Sequence, residues 1–165
     1  MPCSYNNFKQ DVRNHIINVV DRSHKILDVG PGSGTYANLL VPEFSCYAVE
    51  IFEPYVRQFH LDTFYRNVDV GDICTYDYSA YDYLILGDVL EHIHVEPAQK
   101  LIREITASGK KCIVGVPYMY EQGPVDGNPY EAHLQSDLTP EVMTERYPEL
   151  RILFRDLVYG YYINY

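Results

Sequence analysis

The stretch ILDVGPGSG (residues 26–34) joins a short apolar run to three glycines spaced two residues apart. The apolar run predicts a β-strand, and the glycines predict a turn because glycine adopts positive φ without steric cost. Such a turn also lets the backbone approach a ligand closely. The stretch therefore predicts an α/β fold with a ligand at this turn, and it leaves the ligand undecided.

Strands and helices alternate along the rest of the chain. Apolar runs predict strands at 25–29, 46–50, 67–70, 81–87 and 111–117, and helical spacing predicts helices at 8–20, 35–41, 54–60 and 97–108. Thr139-Pro140 is typical of a helix start, and residues 151–157 and 160–165 are close enough in sequence to pair antiparallel. This order predicts an α/β fold, with a mostly parallel sheet and helices on both faces.

Composition limits the class of protein. A length of 165 residues predicts one domain over residues 1–165. The formal net charge of -10 repels polyanions, so nucleic acid is a disfavoured partner. No apolar run approaches the roughly 18 residues of a membrane helix, and the N-terminus does not resemble a secretion signal. The four cysteines lack CxxC spacing, so we expect a cytoplasmic protein without a disulfide framework.

Acidic side chains follow successive predicted strands. Glu50 comes twenty residues after Gly30, the place from which an acid accepts hydrogen bonds from ribose hydroxyls. Asp72 follows the third strand and can accept from an adenine amino group while Ile73 packs on the ring, although Gly-Asp pairs are also common in turns. Gly87-Asp88 follows the fourth strand. Because ligands bind at the carboxyl ends of parallel strands, these residues predict a nucleoside-containing cofactor.

The sequence of the glycine turn distinguishes between two candidate cofactors that each contain a ribose. A dinucleotide needs the spacing G-x-G-x-x-G, but here the spacing is G-x-G-x-G and Thr35 occupies the sixth place. Pro31 removes an N–H that could bind phosphate, and Asp28 would repel an anion. S-adenosylmethionine has no phosphate and carries an ammonium and a sulfonium. The sequence favours it over NAD, and an NAD-dependent oxidoreductase remains the less favoured alternative.

These segments resemble the successive motifs of class I S-adenosylmethionine-dependent methyltransferases: LDVGPGSG, Glu50, GDI (residues 71–73) and YDYLILGDVLEHI (residues 81–93). The resemblance is close over residues 25–117 and implies a doubly wound, seven-stranded, Rossmann-like sheet whose last strand is antiparallel. It also implies roles for individual residues: Asp28, Gly30 and Gly32 around the methionine part, Glu50 at the ribose, Asp72 and Ile73 at the adenine, and Gly87 and Asp88 at the methyl end.

Candidate catalytic groups cluster in GDVLEHIHVEP (residues 87–97). If this segment is one helical turn, the spacing i, i+3, i+4 places Asp88, Glu91 and His92 on one face. The polar stretch 118–138 is a candidate substrate lid that adds His133, and Asp88, His92 and His133 are the predicted catalytic residues. Alternatively, Asp88, Glu91, His92 and His133 hold a divalent metal that activates the acceptor. The DVLEHI run (residues 88–93) is similar to runs in ubiquinone-pathway O-methyltransferases and in metal-dependent methyltransferases of small RNAs.

Three readings of function follow. The first is a methyltransferase acting on an oxygen or nitrogen of a small-molecule or saccharide-type acceptor. The second is a non-catalytic S-adenosylmethionine-binding or regulatory subunit, and the third is the oxidoreductase. The retained group of Asp88, Glu91 and His92 favours catalysis. The motifs do not specify the acceptor or the oligomeric state.

Overall fold

A computed structural model describes residues 5–165. The strands are β1 (Lys25–Val29), β2 (Ser45–Glu50), β3 (Val68–Val70), β4 (Tyr83–Gly87), β5 (Lys111–Pro117), β6 (Arg151–Arg155) and β7 (Tyr159–Ile163). The helices are α1 (Lys9–Val19), α2 (Thr35–Leu40), α3 (Glu53–Gln58), α4 (Val95–Ala107) and α5 (Pro140–Arg146). Each lies where the sequence predicts it, with boundaries that differ by at most two residues.

Within residues 5–165 seven strands form one sheet in the order β3-β2-β1-β4-β5-β7-β6. β1 and β2 pair in parallel, with Asp28 opposite Ala48, and β2 pairs in parallel with β3. β7 runs antiparallel to both β5 and β6. The α/β fold class is confirmed, including the antiparallel last strand.

Two compact units divide the described chain at residues 85 and 86. In the unit that ends at Ile85, Val12 and Ile16 on one face of α1 are buried. Ile26 and Leu27 of β1 are buried in the same unit. The apolar positions of α1 recur at helical spacing, so burial of one face accounts for the helix. The expectation of a single domain stays a prediction.

In the unit of residues 86–165, α4 buries the apolar face that the sequence predicts: Ala98, Leu101, Ile102 and Ile105 are each at most 2% exposed. Thr139 caps α5, since its hydroxyl accepts from Val142 N at 3.2 Å and Pro140 occupies the first turn. Both features confirm the helices that the sequence predicts here.

The structure bears on two of the other expectations from composition, the state of the cysteines and the possibility of a membrane helix. Cys46 and Cys112 are buried free thiols, and Cys3 lies outside the described residues. None of the helices within residues 5–165 has the length and apolar character that crossing a membrane requires. The cytoplasmic location stays a prediction.

Candidate functional site

The glycine turn after β1 has an alternating backbone. Gly30, Gly32 and Gly34 have φ of 57°, 52° and 80°, and the two residues between them do not have positive φ. Residues other than glycine are strained in this conformation, which explains the two-residue spacing. The Gly30 N–H donates to the carbonyl of Val49 at 2.9 Å, so the turn is fixed beside the end of β2.

Asp28 is the last acid before this turn and is 1% exposed. Its Oδ2 accepts from the Tyr65 hydroxyl at 2.5 Å, while its Oδ1 is buried without a hydrogen-bond partner. Burial raises the pKa of Asp28 to about 7, against the opposing effects of the Tyr65 hydrogen bond and of the charge on Lys9. Asp28 is therefore only partly ionised near neutral pH, and a cation placed beside it would favour the ionised form.

Glu50 ends β2, where the sequence places it, and is 4% exposed. Its Oε1 accepts from the N–H of Phe52 at 2.8 Å, which fixes the carboxylate at the start of the following loop. Glu50 also lies close enough to Asp28 for its charge to raise the pKa of that carboxyl.

Asp72 and Ile73 lie in the turn after β3. Asp72 is exposed, and its Oδ1 accepts from the N–H of Cys74 at 2.9 Å, so it makes the turn contact that Gly-Asp pairs favour. Ile73 is 6% exposed. Their predicted contacts with an adenine stay a prediction.

Asp88 follows Gly87 at the end of β4 and has a φ of 59°. Its N–H donates to the carbonyl of Gly115 at 2.9 Å, which holds this left-handed residue against β5. A 3-10 turn over Leu90–His92 begins two residues later. The expected single helical turn containing Asp88, Glu91 and His92 is therefore wrong, because Asp88 stands outside the turn in a different conformation.

Glu91 is 0% exposed, and neither oxygen of its carboxyl has a hydrogen-bond partner. Burial raises its pKa well above the usual range, and the charges of Asp88 and Glu131 add to the effect. Its backbone carbonyl accepts from the N–H groups of Leu134 and Gln135, so the backbone is tied down while the carboxyl is not. A buried carboxyl without partners is costly and is a frequent feature of binding sites.

His92 and His133 lie beside Glu91. Their ring centroids are 4.7 Å apart in an edge-on arrangement, and one ligand atom from each of Glu91, His92 and His133 lies within 4.8 Å of the others. Nδ1 of His92 lies 3.2 Å from the Ala132 carbonyl, and Nδ1 of His133 lies 2.8 Å from the Tyr120 carbonyl. Burial lowers the pKa of His92 to about 4, so that ring is neutral near pH 7. The structure brings together these three of the four predicted metal-binding residues.

No protein-family model and no curated protein matches this chain. Solved structures do: an S-adenosylmethionine-dependent methyltransferase from Clostridium acetobutylicum ATCC 824 is 12% identical with a TM-score of 0.66, over 98% of this chain and 92% of that chain. The N-terminal domain of EvdMO1 with S-adenosylhomocysteine bound is 15% identical with a TM-score of 0.67, over 98% and 82%. A methyltransferase from Archaeoglobus fulgidus is 18% identical with a TM-score of 0.60, over 90% and 73%.

The chain has the class I methyltransferase fold. This agrees with the strand order and with the glycine turn at the end of β1. At these identities the similarity concerns the fold, and the roles of individual residues depend on the geometry described above.

The stretch 118–138 of this methyltransferase fold is tethered within residues 86–165. Gln135, 2% exposed, donates to the carbonyls of Leu90 and Ile93 at 2.9 and 2.8 Å and accepts from the Tyr147 hydroxyl at 2.9 Å. The N–H of Met119 donates to the carbonyl of Leu138 at 3.0 Å, which closes the base of the stretch. Tyr118 and Leu138 at its two ends are buried, whereas several apolar side chains between them are exposed, as at Met119 with 69%. The lid stays a prediction.

Sequence reasoning missed two supporting groups. Tyr65, which donates to Asp28, lies 37 residues further along the chain, and no spacing rule connects the two. Gln135 lies in a polar stretch with no motif, so nothing in the sequence marks it as the buried anchor of the 3-10 turn. Both contacts join residues that are distant in sequence, and they depend on the tertiary fold.

Proposed function

We propose that this protein is an S-adenosylmethionine-dependent methyltransferase. The observation that carries the proposal is the glycine turn between two buried acids, Asp28 and Glu50, on this fold. The unpartnered Oδ1 of Asp28 fits a cofactor that brings an ammonium and a sulfonium to the turn. The carboxylate of Glu50 fits a ribose diol at the end of β2.

The remaining cofactor roles follow the same proposal. The backbone at Gly30 and Gly32 allows close approach to the methionine part, Asp72 and Ile73 take the adenine, and Gly87 with Asp88 takes the methyl end. When bound, the cofactor supplies a methyl group on a good leaving group, so the protein mainly has to align the acceptor and remove its proton.

His92 and His133 are proposed to prepare the acceptor, together with Asp88. Both imidazoles have Nδ1 at a backbone carbonyl, and a carbonyl only accepts, so Nδ1 carries a proton in each ring. In the neutral form of such a ring the lone pair is on Nε2. A lone pair at Nε2 can take a proton from an acceptor or bind a divalent cation that activates it. The acceptor is proposed to be a small molecule or a saccharide.

Binding of three ligands tests the cofactor assignment. We expect S-adenosylmethionine and S-adenosylhomocysteine to bind and NAD not to bind, measured by calorimetry and thermal shift. Glu50→Gln should weaken binding of S-adenosylhomocysteine about tenfold or more, because it removes charge-assisted hydrogen bonds to the ribose. Glu53→Gln is the matched control, since this acid of α3 has a side chain that is 57% exposed.

The opposite pattern would overturn the proposal: NAD binds and S-adenosylhomocysteine does not. Binding of S-adenosylhomocysteine without turnover on a broad panel of hydroxyl and amine acceptors would favour the alternative, a non-catalytic S-adenosylmethionine-binding or regulatory subunit.

A further inference from the structure

We propose that Glu91, His92 and His133 bind a divalent first-row transition cation, such as Zn²⁺ or Co²⁺, and that this cation binds a hydroxyl oxygen of the methyl acceptor. The first part depends only on residues 86–165. The second part rests on the proposed methyltransferase function and narrows its acceptor from oxygen or nitrogen to oxygen.

The carboxyl of Glu91 is the first observation. It is fully buried and neither oxygen has a hydrogen-bond partner, although the backbone carbonyl of Glu91 accepts from the N–H groups of Leu134 and Gln135. Removing a carboxyl from water without hydrogen bonds costs several kcal/mol. A cation bound to it offsets that cost, whereas a purely structural position would be occupied more favourably by an apolar residue.

The orientation of the two imidazoles is the second observation. Histidines that bind metals almost always donate the N–H of the other ring nitrogen to a carbonyl or carboxylate, which fixes the tautomer and the ring orientation. His92 and His133 both have this arrangement, through the carbonyls of Ala132 and Tyr120. These two carbonyls belong to the stretch 118–138. The stretch therefore supplies the proposed ligand His133 and also the carbonyls that orient the rings of His92 and His133.

The donor set indicates the class of cation. Two imidazoles and one carboxylate suit Zn²⁺ and its neighbours, whereas Mg²⁺ prefers oxygen ligands. Ligands of a tetrahedral Zn²⁺ lie roughly 3.3 Å apart, given metal–ligand distances of about 2.0–2.2 Å. The three ligand atoms are within 4.8 Å, so side-chain movements of about 1 Å bring them to this distance. Three protein ligands leave a coordination position for another oxygen ligand.

A hydroxyl in that position is the acceptor that this geometry favours. A bound cation makes the hydroxyl more acidic, so its proton passes to water. The oxygen then gives an electron pair to the methyl carbon of S-adenosylmethionine, the carbon–sulfur bond breaks, and its electron pair stays on sulfur. The products are a methyl ether and S-adenosylhomocysteine. An amine coordinated through its single lone pair has none left for this attack, whereas a coordinated oxygen has.

The test measures metal binding without cofactor or acceptor. Protein treated with a chelator is titrated with Zn²⁺ by calorimetry and with Co²⁺ by visible absorption, and we expect one cation per chain. Glu91→Gln and His133→Ala should each weaken binding about tenfold or more, the scale on which even the supporting partners of ligands act. His94→Ala is the matched control, because His94 is exposed and its side chain does not cap α4.

A measurement on the wild-type chain guards against variants that fail to fold. In NMR spectra of the wild type, the ring signals of two of the six histidines should shift on addition of Zn²⁺. We expect these two signals to be those of His92 and His133, and each is assigned by the signal that disappears when that histidine is replaced. The inference would be overturned if the wild type bound neither Zn²⁺ nor Co²⁺. It would also be overturned if Glu91→Gln and His133→Ala both bound the cation as tightly as the wild type.

Binding of S-adenosylhomocysteine is measured separately, in the presence of chelator. A chain that binds S-adenosylhomocysteine but no cation refutes this inference and leaves the methyltransferase proposal intact. A chain that binds the cation but not S-adenosylhomocysteine refutes the methyltransferase proposal and with it the hydroxyl acceptor.

Discussion

Asp28 should make the stability of the folded chain depend on pH. Its carboxyl is 1% exposed, and burial raises its pKa from 3.8 to about 7. Between these two values the folded chain holds a proton that the unfolded chain has released. The contribution of Asp28 to stability is therefore fully present below about pH 4 and is lost as the pH rises through about 7.

The size of the effect follows from the shift. Each pKa unit corresponds to about 1.4 kcal/mol, so a carboxyl that moves from 3.8 to about 7 loses about 2.5 kcal/mol of stabilisation between pH 5 and pH 8. His92 acts in the opposite direction over part of this range, because burial lowers its pKa to about 4 and its stabilisation grows as the pH rises towards 6.5. The wild-type curve alone therefore does not report on Asp28.

The difference between the wild type and Asp28→Asn isolates the carboxyl. Free energies of unfolding are measured in urea at pH 5 and pH 8, and Asp28→Asn should gain about 2.5 kcal/mol on the wild type between them. Asp62→Asn is the matched control, because Asp62 is exposed, and it should follow the wild type at both pH values.

Tyr65→Phe extends the test. It removes the hydroxyl that donates to Oδ2 of Asp28 at 2.5 Å and so removes an interaction that lowers the pKa of the carboxyl. The loss of stability with rising pH should become larger and its midpoint should move upward. If Asp28→Asn keeps the same offset from the wild type at pH 5 and pH 8, Asp28 titrates as an ordinary carboxyl and the reasoning is refuted.

Three substitutions test the elements that hold the fold, all by urea unfolding. Gly34→Ala should cost about 1–3 kcal/mol, more than Gly109→Ala, since both have positive φ but a Cβ at Gly34 would lie 3.1 Å from the Phe64 ring; equal losses would contradict this. Thr139→Ala should cost about 1 kcal/mol by removing the cap of α5, and Thr139→Ser should restore most of it. Ile105→Ala, at a position 0% exposed, should cost about 2–5 kcal/mol, and a smaller loss would mean that the surroundings collapse around it.

Local sequence patterns account for most of the fold. Apolar spacing in α4, the Thr139-Pro140 start of α5 and the glycine turn after β1 each depend on interactions within a few residues, so they are readable from the chain itself. The same reliance on local spacing made the prediction wrong at Asp88. The spacing of Asp88, Glu91 and His92 fits one helical turn, but the N–H of Asp88 donates to the carbonyl of Gly115 and Asp88 has a φ of 59°. A contact with a distant strand outweighed the local preference.

The sequence by itself determined the order of strands and helices, the positive-φ glycine turn and the acid at the end of β2, because each is fixed by local backbone preference or by the end of an apolar run. Only the tertiary structure decided that Tyr65 donates to Asp28, that Glu91 is buried without partners, and that His133 lies beside His92. These contacts join residues up to 41 positions apart in sequence. Burial, which the residue type does not determine, is the main cause of the pKa shifts of Asp28, Glu91 and His92.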